Sequence, residues 1–301
     1  MEPKSLKILI IIVFTSVFGY TVQAQVYFKS EYITPSKFKD ENGNNLGGSG
    51  NLKTIDGGIR IPISVKMDAN NKPTAWAVAL SGTYASMGTK DLSNEYYLKE
   101  ILNAQAGLMH MRPLNQKWSM IATLGVGIYA SDLKRISSKT LLGQGGVLFI
   151  KHAKPNFDWG VGVAINNALG YPMIFPSFYL DWRLKGKYEF KLSMYDSFAA
   201  SISSQINDQL KLSIIGESKG LMSAVEQDGK NKYFVAQYGY VGIQPEYKLA
   251  ESLGIFITGG VSLKRETYFK SRTLKAFYQS EDNYPHFGVA AYFAAGIKFG
   301  F

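Results

Sequence analysis

The stretch "AAYFAAGIKFGF", residues 290–301, sets an apolar side chain at every second position up to Phe301. Counting back, Phe301, Phe299, Ile297, Ala295, Phe293, Ala291, Val289 and Phe287 fall on one face of an extended strand. Gly300, Lys298, Gly296, Ala294, Tyr292, Ala290, Gly288 and His286 fall on the other. Chain ends are normally frayed and polar. A patterned end is expected to be paired within the fold.

The same period of two recurs along the chain. In "TIDGGIRIPISVKMD", Ile55, Gly57, Ile59, Ile61, Ile63, Val65 and Met67 share a face, opposite Asp56, Gly58, Arg60, Pro62, Ser64 and Lys66. The stretches "TAWAVALSGTYAS", "WSMIATLGVGIYA", "WGVGVAIN" and "LGIFITGGVSLK" alternate in the same way. Such runs exceed the 5 to 6 residues of an ordinary globular strand and suit the roughly 9 to 11 that cross a bilayer at a tilt. The faces opposite the apolar ones hold mostly Gly, Ala, Ser and Thr, which suits a curved wall around a lumen. Trp76, Tyr84, Trp118, Tyr129, Trp159 and Trp182 stand near segment ends, where amphipathic rings would form interfacial girdles.

Connections alternate in length. Short turns at 68–73, 112–117, 153–158, 185–187, 206–208 and 250–252 are separated by longer polar stretches at 34–53, 88–95, 131–141, 166–174, 219–231 and 265–285. This rhythm predicts an all-β, antiparallel up-and-down transmembrane barrel with short periplasmic turns and longer outer loops. Fourteen strands result if 188–206 is two strands bent at "MYDS" (194–197); twelve is the competing count. A soluble β-sandwich is the rival architecture, with shorter strands and its apolar faces turned to a core.

Residues 1–24 read as a signal peptide. Lys4 and Lys7 precede a short apolar run from Ile8 to about Tyr20, and "TVQAQ" offers a cleavage point after Ala24. Residues 25–301 then form one barrel domain in the outer membrane of a Gram-negative cell. The chain has no cysteine, so neither disulfides nor thiolate metal sites are available. Its formal charge of +10 is compatible with anionic partners such as lipopolysaccharide phosphates, and equally with ordinary solvated lysines.

Together with this signal segment, "FPSFYLDWRLKGKYEFKLSM" (175–194), "YVGIQPEYKLAESLGIFITGGV" (240–261) and the terminal Phe301 resemble outer-membrane barrels of Bacteroidetes-type bacteria. More narrowly, they resemble a family of uncharacterised barrels carrying a domain of unknown function. The resemblance covers nearly the whole chain and implies a barrel fold, with no catalytic residues to carry over. It also implies that the terminal pattern, with Phe293, Ile297, Phe299 and Phe301, is the signal read by the barrel assembly machinery.

Chemical motifs are few. "GESKG" (216–220) matches a nucleophile elbow in letters, with Asp228 or Asp282 and His286 downstream, but the elbow needs a strand feeding a helix. His110, His152 and His286 have no Ser two residues away and no metal-ligand spacing, so each is expected at a membrane interface. The "GVG" runs at 125–127 and 160–162 lack a third glycine and a following helix. The loop at 39–51 lacks the ordered calcium spacing and reads as a flexible outer loop.

Arg60, Lys66, Arg183, Lys211 and Lys264 fall on the predicted inward faces, against Asp56, Asp181 and Glu217. The expected function is therefore a non-catalytic, monomeric channel or binding barrel for small polar or anionic solutes, with no cofactor, metal or nucleic acid. Two alternatives stand beside it: a surface-exposed structural or adhesion barrel working through its outer loops, and a lipid-modifying hydrolase.

Overall fold

The computed structural model describes residues 24–300, apart from 70–71, 94–95, 169, 185, 195–196, 228 and 280–283. Residues 1–23, which cover nearly all of the expected signal segment, and the terminal Phe301 lie outside the described residues. Thirteen strands follow in order: β1 (Gln25–Lys39), β2 (Asn45–Met67), β3 (Pro73–Lys90), β4 (Glu100–Pro113), β5 (Trp118–Ala130), β6 (Leu141–Lys154) and β7 (Phe157–Asn166), then β8 (Met173–Leu184), β9 (Tyr188–Met194), β10 (Phe198–Gln205), β11 (Leu210–Gln227), β12 (Lys230–Ala250) and β13 (Leu253–Ser271). The last strand, β14, comes in two pieces, His286–Phe287 and Ala290–Phe299. A single helical turn, α1 (Leu274–Tyr278), lies before it.

Each strand pairs antiparallel with its sequence neighbours, and β14 pairs with both β13 and β1. The result is a closed fourteen-stranded barrel. Closure is registered by Val26 opposite Phe299, Phe28 opposite Ile297 and Tyr32 opposite Phe293. No sheet edge is left in the wall at this seam, which a strand surrounded by hydrocarbon requires.

The alternation decides which side faces out. Leu124, Ile257, Ile214, Ile243 and Phe293 are all more than half exposed, while their neighbours Thr258, Ser213, Tyr292 and Ala294 are buried. Withdrawing one such side chain from water is worth about 1.5 to 3 kcal/mol, so the outward belt would cost on the order of tens of kcal/mol in water. Hydrocarbon around the barrel removes that cost, and a sandwich core cannot. The segment 188–205 divides into β9 and β10, which gives fourteen strands rather than twelve.

Three expectations need correction. Phe287 is fully buried against Phe38, with ring centroids 4.8 Å apart, because the two pieces of β14 are interrupted at Gly288 and Val289 and the face changes there. Tyr129 is no girdle residue: it points inward and donates to Asn167 Oδ1 at 2.9 Å. The 39–51 segment is a strand hairpin rather than a free loop. Asp40 ties its turn by accepting from the Asn44 side chain and from the Asn44 and Asn42 amides, which hold its carboxyl below the usual carboxylate range.

The strands are unequal in height. β2 and β12 have 23 and 21 residues, whereas β9 and β10 have only 7 and 8. Pairing of β10 with β11 stops at Phe198 and Ser218, so among the described residues β11 has no strand partner on that side above Ser218. From there β11 and β12 turn into the barrel. Leu221, Met222 and Ser223 are buried in succession, as are Tyr233, Phe234, Val235 and Ala236. Consecutive burial means that both faces are covered, which is not possible for a strand in the wall. Through β11 this hairpin reaches β4 and β5 on the opposite side of the barrel.

Candidate functional site

Polar side chains on the inward faces of β1, β2, β11, β12 and β14 meet inside the barrel beneath this hairpin. Strand parity brings Tyr27, Lys29 and Glu31 to one face of β1, Thr54 and Asp56 to that of β2, and Glu217 and Lys219 to that of β11. Glu31, 3% exposed, sits at the centre. Its carboxylate pairs with Lys29 at 2.9 Å and accepts from Thr54 at 2.6 Å, Tyr238 at 2.8 Å and Tyr292 at 2.7 Å.

Lys219 spans the lumen. Its Nζ lies 3.1 Å from Asp56, 3.8 Å from Glu217 and 3.9 Å from Glu31. Glu217 also accepts from Tyr240 at 2.7 Å and Ser197 at 2.9 Å, and pairs with Lys29 at 3.4 Å. Tyr240 and Tyr292 stack with centroids 3.8 Å apart, which fixes both hydroxyls. Three carboxylates thus share two ammonium groups. Burying such charges is tolerable only where every partner is in place, so the cluster is rigid and specific rather than strongly stabilising.

The opposite wall carries amides. Gln144 donates to Gln105 at 3.1 Å, and Tyr129 reaches both Gln144 and Asn167. Asn103 holds the edge of β11: its Nδ2 donates to the Met222 carbonyl at 2.6 Å and its Oδ1 accepts from the Met222 amide at 3.1 Å. The connection before β8 covers the hairpin from another side. Gly170 has φ +85°, and a Cβ there would lie 2.7 Å from Val235, so only glycine lets this approach happen.

The residues singled out from the alternation are placed as follows. Arg60 faces inward and donates to Gln25 at 2.9 Å. Arg183 and Lys211 share the inward parity near the short-turn end, paired with Asp181 at 3.6 Å and Glu189 at 2.6 Å. Lys211 also borders a cavity of about 180 Å³ at that mouth, with Lys248, Glu246 and Lys298. Lys66 and Lys264 leave the expected face. Ile63 is an extra residue between the pairs Pro62–Ala77 and Ser64–Trp76, so Lys66 follows the outward Trp76 side. Leu263 and Lys264 together oppose Gly239, so Arg265 enters the interior and Lys264 pairs outside with Glu266 at 2.6 Å. A bulge inverts the parity of everything beyond it.

Lys29, Glu31 and Lys219, the heart of the cluster, were not among the expected residues. A signal existed: Lys29 and Glu31, like Glu217 and Lys219, are charged residues two apart within an alternating strand. Ser218 of the "GESKG" stretch lies inside strand β11 opposite Gly239, and the next element is strand β12 rather than a helix. Phe293, Ile297 and Phe299 lie on the closing strand against β1.

Comparison with known proteins places the chain in a family without assigning a task. No curated protein matches the chain. Among solved structures, it is similar to the COG4313 outer membrane channel from Pseudomonas putida F1, at 12% identity over 94% of this chain and 97% of that one, with a TM-score of 0.45. A Pseudomonas aeruginosa FadL homologue is similar at 9% identity over 93% and 91% of the two chains, TM-score 0.45. The KdgM porin in complex with disordered oligogalacturonate is similar at 7% identity over 92% and 99%, TM-score 0.32. A family model described as "Domain of unknown function (DUF6268)" matches residues 20–300. The chain therefore belongs to the DUF6268 family of unknown function, here built as a closed fourteen-stranded β-barrel.

Proposed function

We propose that the protein is an outer-membrane channel for small polar solutes, held closed at rest by the β11–β12 hairpin. The observation that carries this reading is the cross-lumen cluster of Lys29, Glu31, Asp56, Glu217 and Lys219 beneath that hairpin. A barrel that served only as a scaffold could fill its interior with apolar side chains. This one places five charges and four tyrosine hydroxyls across its lumen.

The short-turn end, which carries the start of β1 and the mouth cavity, faces the periplasm in this reading; the hairpin and α1 face outward. With three carboxylates to two lysines, the cluster offers no positive excess. Arg60, Arg183 and Lys211 lie nearer the periplasmic side, where they would supply the attraction for anionic solutes. Passage requires the hairpin to leave Asn103. Planar-bilayer recording tests this: rare, brief openings are expected for the intact protein and long ones after deletion of residues 221–235. Absence of conductance above the lipid background from both forms would refute the channel.

A further inference from the structure

At the short-turn mouth, away from the central cluster, three strands bring together a serine, a histidine and an aspartate. Ser119 Oγ on β5 lies 2.8 Å from His152 Nε2 on β6. His152 Nδ1 lies 3.0 Å from Asp158 Oδ1 on β7. His152 is directly opposite Asp158, and Ser119 is opposite Ile150, one inward position from His152. A carboxylate at Nδ1 keeps the ring proton there and leaves the Nε2 lone pair facing the serine hydroxyl. That is the hydrogen-bond order of a nucleophile, its base and the group that orients the base.

Two further features mark the place. A register shift between His152 and Lys154 interrupts the ladder beside the histidine, and the His152 amide is tied to the Lys117 carbonyl at 2.8 Å. On the outer face the neighbouring residues Trp118, Lys151 and Trp159 form one unit, with Lys151 5.6 Å and 5.8 Å from the two ring centroids. Each member of the inner trio is thus fixed by an adjacent residue packed on the other side of the wall. The His152 side chain is still 38% exposed, so solvent and solute reach it. Inward residues beside Ser119 are apolar, Ile121 and Ile150, and Gly160 opposite Ile150 adds no side chain.

We propose that Ser119, His152 and Asp158 form an acyl-transfer relay that hydrolyses carboxylic esters with a short apolar acyl group, entering from the short-turn mouth. Ser119 Oγ attacks the ester carbonyl while its proton passes to His152 Nε2. The C–O bond to the alcohol breaks, and His152 returns the proton to that leaving oxygen. Water then attacks the acyl-serine carbonyl and gives a proton to His152 Nε2; the acyl C–Oγ bond breaks, His152 returns that proton to Ser119 Oγ, and the carboxylic acid leaves. Ser119 and His152 are the catalytic residues; Asp158 is a positioning residue.

The test uses the purified, folded barrel in detergent micelles, with folding checked by heat-modifiable gel mobility. A fluorophosphonate probe should phosphonylate Ser119 with loss of fluoride, one label per barrel, and para-nitrophenyl butyrate should give a burst of nitrophenol. Ser119→Ala should abolish both, and Ser218→Ala should change neither. His152→Gln should slow labelling about 100-fold or more. Asp158→Asn should lower the burst rate with KM unchanged, and Asp158→Glu should restore part of it. In the Ser119→Cys variant, alkylation by iodoacetamide should slow when His152→Gln is added. Lack of labelling in the folded wild type, equal labelling of Ser119→Ala, or alkylation indifferent to His152 would overturn the proposal.

Discussion

Asn103 on β4 satisfies both backbone groups of Met222 on β11, at 2.6 Å and 3.1 Å, across 119 residues of sequence. This amide stands in for the missing neighbour strand at an edge that β10 is too short to cover. A single side chain thus supplies both donor and acceptor for this polar clasp between the in-turned hairpin and the facing wall.

Replacing it should open the channel. Asn103→Ala leaves a buried N–H and C=O without partners, which costs about 2 kcal/mol. At 1.4 kcal/mol per tenfold, the open population should rise about 30-fold. Open probability in planar bilayers measures this directly. An unchanged open probability would show that the hairpin is held by its apolar contacts alone.

Gly170→Ala should act on the same hairpin from the other side. Its φ of +85° and the 2.7 Å approach to Val235 penalise any side chain, by about 1 to 2 kcal/mol. Faster protease nicking within 221–235 is the expected readout. A nicking rate equal to that of wild type would show that the loop shifts without moving the hairpin.

The central cluster should respond to lost balance rather than to lost charge as such. Lys219→Met leaves Glu31, Asp56 and Glu217 with Lys29 alone, a change expected to destabilise the barrel by about 3 to 5 kcal/mol. Adding Asp56→Asn should recover a substantial part. Urea unfolding in micelles compares the two, and a double variant no more stable than the single one would argue against charge balance as the cause.

On the closing strand, Phe293→Arg places a cation on the outward belt, at a cost of about 2 to 4 kcal/mol near the bilayer midplane. The heat-modifiable fraction in membranes should fall. Phe301→Asp should also lower membrane levels, through recognition by the assembly machinery, while leaving the properties of barrels that do fold unaltered. Equal membrane levels for Phe301→Asp and wild type would refute that role.

The ester relay was hidden for an instructive reason. Ser119 and His152 are 33 residues apart and Asp158 follows six later, so no motif of fixed spacing could contain them. They meet because β5, β6 and β7 are paired in one register. The same holds for Lys29 and Glu217, separated by 188 residues and joined across the lumen.

Period-two alternation alone determined much of this protein. It separated Phe293 and Ile297 from Tyr292 and Ala294, placed the short turns at one end, and required a closed wall, because a strand has one apolar face and an unpaired edge cannot remain in hydrocarbon. Parity is a local property, however, and it survives only until a bulge. Lys66, Lys264 and Phe287 lie beyond such points, and their faces were decided by pairing partners distant in sequence. The in-turned hairpin depended on something still less local: the mismatch between an 8-residue β10 and an 18-residue β11, which frees an edge that must find its hydrogen bonds inside the barrel.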